Sequence, residues 1–349
     1  MIYLIGWVAT YCVVIIQETI RYRGLVLTLG ILLYFTVVAF FRGSVGTDTG
    51  TYEIIFRGYS DGYEWNGQEP GFVLLGVNLI AIFQDTDIAV RACALVFFFL
   101  LAVFLIRGDR NERFLCLAYF LPVFAYSYSM NVLRIGLAAC IILLATQAIR
   151  KGSLMRVFFT GLPGVLLHYS ALFSVSYIIM TQRPWLKFLS VLGMLALLVL
   201  SAVGFLLVET YLMDKAELYE ANTEMGASRI IPSIFGVFRI SIILIVLLFG
   251  KLPAADKFKL FMLGELVVLA AAIISNYTYA GIRLYDIASL VCPLSILASY
   301  SRLGLDFENS LKAVFIASGL LGVAASYRGY LDTAGTTNNS FLPYDTWLF

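Results

Sequence analysis

The sequence predicts an all-α polytopic membrane protein, and three observations predict it. Of 349 residues, 61% are hydrophobic and only 13% charged, against roughly 25% charge in soluble domains. Apolar runs recur along the whole chain, so residues 1–349 are expected to form a single integral membrane domain without a separable soluble module. Most of the 24 lysines and arginines gather in short segments between those runs, at 21–23, 107–113, 150–156, 183–187, 251–259 and 302–312. That is the pattern of cytoplasmic loops under the positive-inside rule.

The first span covers residues 2–20. It follows Met1 without a basic leader or a small-residue cleavage site, so it is expected to be retained. Further spans are expected at 24–42, 88–106, 114–130, 133–149, 187–208, 231–250, 258–276, 284–300 and 311–328. Two apolar stretches break the pattern. Residues 70–83 fall short of the about 20 that a crossing helix needs, which makes them interfacial or re-entrant. Residues 155–181 contain Gly161, Pro163, Gly164 and His168, and form either one kinked span or two short legs.

Charge decides between these. All the basic segments share the cytoplasmic side only if 70–83 does not cross and 155–181 goes out and returns. The fold expected is then about twelve transmembrane helices, counting a short broken hairpin with His168 at its apex. Both termini, the loop 43–87 with its interfacial segment, and the loop 209–229 lie outside. Their acids, among them Asp48, Glu53, Glu69, Glu209 and Glu224, agree with that side. A net charge of +2 gives no indication of nucleic acid. The five cysteines lie in apolar segments without metal spacing, so they are expected to fill the core unpaired.

The candidate chemistry gathers on the outer face. Arg42-Gly-Ser-Val-Gly-Thr-Asp48-Thr-Gly-Thr-Tyr52 places a guanidinium, glycines and a carboxylate where an apolar run ends. Arg134, His168 and Arg283 open or top other segments on the same side. Arginine offers a permanently charged planar fork suited to bidentate phosphate recognition, and several together make an anion clamp. The ligand these arginines imply is a diphosphate at the membrane surface. The simpler alternatives are headgroup anchors and, for Arg283, an ion pair with Asp286 one turn on.

His168 is the only histidine, and its neutral-range chemistry suits it to take a proton from a hydroxyl. Asp48 and Glu69 are the carboxylates that compete for that role, and Asp48 has the alternative of capping a short helix beginning near Thr51. Phe56, Tyr59, Tyr63 and Trp65 either stack on sugars or belong to an interfacial aromatic belt. No cofactor is expected, and zinc is not expected either, for lack of a second histidine or a cysteine cluster. A divalent metal held by acids stays open. Arg91, Arg239, Glu265 and Asp286 need partners or water inside the bundle.

Five short motifs follow in order: Arg42-x3-Gly46-Thr-Asp48-Thr-x2-Tyr52, Glu69-Pro-Gly-Phe72, Asn131-x2-Arg134-x2-Leu-Ala138, His168-Tyr-Ser-Ala171 and Gly281-Ile-Arg283-Leu-x-Asp286. In this order the chain resembles the EpsG family of polysaccharide polymerases, related in role to Wzy O-antigen and capsule polymerases. The terminal Leu342-Pro-Tyr344 is a candidate sixth motif.

The resemblance implies an enzyme of the bacterial cytoplasmic (inner) membrane, active at its outer face, that joins oligosaccharide repeat units carried on polyprenyl diphosphate. Arg42, Arg134 and Arg283 would then hold the donor diphosphate, and His168, or failing it Asp48, would deprotonate the acceptor. Tyr52, Glu69 and Trp65 are the candidate sugar contacts. Membrane lipid would surround it, and a chain-length regulator and a flippase are the implied partners. The alternatives are a ligase of similar build that uses another acceptor, a flippase or transporter of the same lipid-linked sugar, and a purely structural subunit. No internal repeat of the transporter kind is visible.

Overall fold

A computed structural model describes residues 1–20, 24–60, 68–182, 193, 230–275, 280–334 and 340–347. The expected span 187–208, the loop 209–229 and Trp65 lie outside the described residues. Among the described residues the chain is all helix, apart from one isolated antiparallel bridge between Arg42 and Thr346. Six helices among the described residues are long and apolar enough to cross a bilayer, and shorter apolar helices accompany them. The protein is a multi-pass membrane protein.

The helices are α1 Ile2–Ile20, α2 Leu25–Phe40, α3 Thr49–Ser60, α4 Pro70–Phe83, α5 Thr86–Arg107, α6 Arg110–Leu115, α7 Leu121–Met130 and α8 Leu133–Gln147, then α9 Leu154–Leu167, α10 Ala171–Gln182, α11 Ile230–Leu248, α12 Ala254–Ser275, α13 Ala280–Leu303 and α14 Asn309–Asp332. Most follow the apolar runs closely: the span expected at 88–106 is α5, and that expected at 258–276 is α12. Their ends are set locally. Asp85 caps α5 by accepting from the N–H groups of Asp87 and Ile88, and Asp109 and Glu112 form a reciprocal capping box at α6.

The chain divides into two compact units, one of residues 1–144, 159–171 and 315–349, the other of residues 145–158 and 172–314. In the first, α6 passes through a single π turn, Cys116–Phe120, into α7. Pro122 has no N–H to give to Ala118, whose carbonyl instead accepts from the Tyr11 hydroxyl of α1 at 3.3 Å. Trp7 of α1 donates its indole N–H to the Pro122 carbonyl at 3.0 Å. Tyr3, Trp7, Tyr126, Tyr330 and Phe341 pack ring against ring in the core of this unit, the Tyr330 and Phe341 rings stacked at 4.2 Å.

Helix α4 is the apolar stretch that the sequence marked as too short to span. Its 14 residues make about 21 Å of helix against about 30 Å of hydrocarbon. It packs on α3 and α5 and leaves Leu74 and Ile82 exposed, as an apolar surface in lipid would be.

In the second unit α11, α12 and α13 pack on one another. Their polar groups are paired within the unit. Arg239 donates to the Ser289 hydroxyl at 2.7 Å, Ser241 to Glu265 at 3.1 Å, and the buried Gln182 amide to Ser295 and Ser299 at 3.1 and 3.0 Å.

Candidate functional site

The Arg42–Tyr52 segment is folded against the α7–α8 turn. Asn131 accepts from the Asp48 N–H at 2.8 Å and from the Thr47 hydroxyl at 3.0 Å, while the Thr49 hydroxyl donates to Val45 at 2.7 Å. Gly46 has φ +107, and a Cβ there would meet the Met130 carbonyl at 2.6 Å, so only glycine permits this approach. Two motifs more than 80 residues apart thereby become one surface. Asp48 stands at the start of α3, half-buried. Tyr52, one turn further along α3, is buried, with its ring 5.8 Å from Phe72 and its phenol hydrogen-bonded to Arg134.

Glu69 precedes Pro70 at the start of α4, where proline at the first helical position loses no needed hydrogen bond. At Gly71 a Cβ would lie 2.8 Å from the Leu166 carbonyl. This close contact lays the start of α4 on the end of α9 and brings Glu69 to His168.

The helix breaks at His168, as Gly161, Pro163 and Gly164 led us to expect, but not at those residues. All three lie within α9, which runs on to Leu167. The break comes at His168-Tyr169-Ser170, before α10. Residues 159–171 belong to the first unit, and residues 154–158 and the rest of α10 to the second.

Glu69 is the centre of the site. Its side chain is 1% exposed, yet one oxygen accepts from Arg134 Nη1 at 2.7 Å and the other bonds His168 Nδ1 at 2.7 Å. Arg134 also lies over the Phe72 ring at 6.0 Å. Burial alone would raise the Glu69 pKa, but the His168 hydrogen bond and the Arg134 charge outweigh it and hold the carboxyl down at about 2. An ionised Glu69 can only accept, so the hydrogen-bond network assigns a proton to His168 Nδ1. In the neutral ring Nε2 is then the basic nitrogen. The exposed edge of this buried carboxylate is thus made of its two partners, Arg134 and His168, each 19% exposed.

Asp48, Tyr52, Glu69, Arg134 and His168 therefore come together in the first unit. The pairing of Glu69 with both Arg134 and His168 is the connection that sequence reasoning missed. Its only trace in the sequence is the small residue Gly71.

The other two arginines are placed differently. Arg42, expected to present its fork at the membrane surface, is 0% exposed. Its Nη1 donates to the carbonyls of Ala39 and Ser129 at 2.8 and 3.1 Å, tying the end of α2 to the end of α7. Arg91 of α5 holds the adjoining backbone, donating to the Arg42 and Gly43 carbonyls at 2.8 and 3.1 Å while paired with Glu53 at 3.1 Å. Arg283 lies in the second unit near the start of α13, half-buried, with Asp286 within electrostatic reach of it and of Arg239. Among the described residues no group of three or more His, Cys, Asp or Glu forms a metal site.

A family model described as EpsG family matches residues 25–346, from α2 to the end of the described chain. The chain belongs to the EpsG family. No curated protein and no solved structure matches it. The EpsG match spans every residue of the cluster around Glu69, as well as Arg42 and Arg283. Family membership points to a polysaccharide-polymerase type of function.

Proposed function

We propose that this EpsG-family protein is a glycosyltransferase that joins polyprenyl-diphosphate-linked oligosaccharide repeat units into a surface polysaccharide at the outer face of the bacterial cytoplasmic membrane. The observation that carries the proposal is the Arg134–Glu69–His168 arrangement, a buried carboxylate that aligns a histidine and an arginine at the edge of one cluster.

Each group has a task. Glu69 fixes the imidazole through Nδ1, and His168 Nε2 takes the proton of the terminal sugar hydroxyl of the incoming unit. The freed oxygen attacks the anomeric carbon of the growing glycan. A carbon–oxygen bond forms there as the bond to the diphosphate breaks, and the bonding pair leaves with the lipid diphosphate. Arg134 stabilises that departing charge. Its salt bridge to Glu69 sets the guanidinium in place before substrate arrives, so little reorganisation is needed at the moment of reaction.

Tyr52, at the edge of Arg134, is positioned for the sugar beside the diphosphate, with Trp65 as a further contact. Glu69, first considered as a sugar contact, is better used as the group that orients the base, because both its oxygens are engaged. Asp48 is the second choice of base. The protein works without a cofactor in this scheme. The basic segments between helices support an outward-facing site.

The decisive experiment supplies purified protein in detergent with lipid-linked repeat units and resolves the products as a ladder. Polymer formed by this protein alone is the expected result, and excludes a flippase. Absence of product from an authentic substrate would sink the proposal, while transfer to a different acceptor in place of chain growth would make it a ligase.

A further inference from the structure

Arg42 uses only part of its donor set. Nη1 serves the Ala39 and Ser129 carbonyls, but among the described residues no acceptor lies within hydrogen-bonding distance of Nε or Nη2, although the side chain is 0% exposed. These two nitrogens share one edge of the guanidinium, and their N–H bonds run parallel. That edge matches two oxygens of one phosphate or carboxylate group. Among the described residues no carboxylate fills the role. Glu53, the acid within electrostatic reach of Arg42, is bonded to Arg91, a second cation beside the first. Buried donors without acceptors carry their full desolvation cost, so a fork held in this state calls for an explanation.

The walls around Arg42 suggest how a ligand reaches it. Tyr3 of α1, Cys93 of α5 and Ser129 of α7 stand on helices packed into the unit. The strap of residues 343–347, which is not helical, also lies beside Arg42. It lies against the end of α2 through a few bonds: Asp345 carbonyl to Gly43 N–H at 2.9 Å, Trp347 N–H to the Phe41 carbonyl at 3.3 Å, Trp347 indole to the Phe40 carbonyl at 3.0 Å, and Tyr344 hydroxyl to the Val38 carbonyl at 2.9 Å. Thr346 pairs with Arg42 itself in the isolated bridge, and the Tyr344 phenol is within electrostatic reach of the guanidinium. Phe341, which precedes the strap, stays in the aromatic core, whereas the strap is held by these few hydrogen bonds and by the Tyr344 and Trp347 rings on Tyr3, Phe40 and Phe41, so it opens at lower cost than packed helices.

We infer that the Nε–Nη2 edge of Arg42 is a binding site for a phosphate oxyanion carried by a lipid, and that residues 343–347 are its cover. The inference rests on the substrate class proposed above, the diphosphate of a lipid-linked sugar, and adds to it a closed and an open state of the tail. In the closed state Arg42 holds α2 to α7. In the open state the same guanidinium, still anchored through Nη1, presents its free edge to the phosphate.

The test reads the chemistry of Arg42 and not polymer. The full chain, a chain ending at residue 342, and the full-length double variant Tyr344→Phe/Trp347→Ala are treated with the arginine reagent phenylglyoxal, and adducts are mapped by mass spectrometry. Arg42 is expected to be inert in the full chain and to gain about tenfold or more adduct in both altered chains, since each removes bonds that close the strap. Inorganic pyrophosphate in detergent should suppress that adduct several-fold. The same measurement in phosphatidylglycerol nanodiscs separates the sources: protection by pyrophosphate assigns the site to a lipid-linked diphosphate, whereas protection by phosphatidylglycerol alone assigns it to an ordinary headgroup. Arg42 that stays inert in both altered chains, or that reacts without protection by either anion, overturns the inference. The double variant keeps the chain length, so misfolding of the truncated chain alone does not decide the matter. Protection without polymer in the ladder assay would count against the polymerase and leave the site standing. Polymer made by a protein whose Arg42 never reacts would do the reverse.

Discussion

Glu69 and Asp256 are each bonded to two cationic side chains, and they do different things. Glu69, in the first unit, bonds Arg134 and His168 at 2.7 Å each and is 1% exposed. Asp256, in the second, bonds Arg302 at 2.9 Å and Lys259 at 3.7 Å and is 19% exposed. Asp256 pairs with an arginine and a lysine, residue types whose ordinary proton equilibria lie far above neutrality, and serves as an anchor between α12 and α13. Glu69 pairs with one permanent cation and one group that gains and loses a proton near neutrality. The difference lies in the partner and in the burial, not in the carboxylate. A buried carboxylate locked by arginine leaves the imidazole as the one member of its cluster free to exchange a proton.

The sharpest break in the comparison is expected from the histidine. His168→Ala should lower polymer formation by about 10²–10⁴, the range of a positioned general base, with single lipid-linked units still reaching the outer face. Glu69→Gln keeps the shape but cannot hold an Nδ1 proton as a carboxylate does, so it should fall in the same range and add little to His168→Ala in the double variant. Ladder gels of the two single variants and the double variant measure this. Additive losses would mean that Glu69 and His168 act separately, and a wild-type ladder in all three would remove both from the site.

The sequence showed the helices more fully than the site. Spans such as 88–106 and 258–276 were visible because a membrane helix must satisfy its backbone within itself and clothe that backbone in apolar side chains, so composition alone marks it. The π turn at Cys116–Phe120 carries no such mark, since its residues are as apolar as their neighbours. Four of the five motifs do meet in one unit, but what joins them is a long-range contact. Glu69 and His168 are 99 positions apart and meet because Gly71 admits the Leu166 backbone, a steric permission that no local pattern announces. Arg42 was legible as a charge at the end of an apolar run. Its burial was not, because that depends on carbonyls at the ends of two helices pointing at one guanidinium.

A smaller effect follows from the proton equilibrium of Glu69. Its carboxyl is held at about 2 in the folded protein against an ordinary 4.5. A carboxylate with a lowered pKa contributes stability that is fully present above the ordinary value and is lost as pH falls through the lowered one. The contribution is about 3 kcal/mol, taking the shift at 1.36 kcal/mol per unit. The stability gap between wild type and Glu69→Gln, followed by thermal unfolding in detergent, should therefore close as pH falls from about 4.5 to about 2. A gap that does not change with pH would mean that the carboxylate is not ionised in its cluster.

The least effect is expected at the second carboxylate, and it tests whether the comparison is one of chemistry. Asp256→Asn removes the negative charge between Arg302 and Lys259, both of which have some access to water or to other partners. The Arg302 guanidinium keeps its bond to the Gln182 carbonyl at 3.0 Å. Lys259 is more confined, with its side chain 5% exposed, so the substitution should not be free. It should cost about 1–2 kcal/mol of stability, between the values for exposed and buried pairs, and leave polymer length and yield within about twofold of wild type. If Asp256→Asn instead abolished polymer while the fold persisted, a carboxylate between two permanent cations would be as necessary to the reaction as one beside a histidine. The distinction drawn from the partners of Glu69 would then fail.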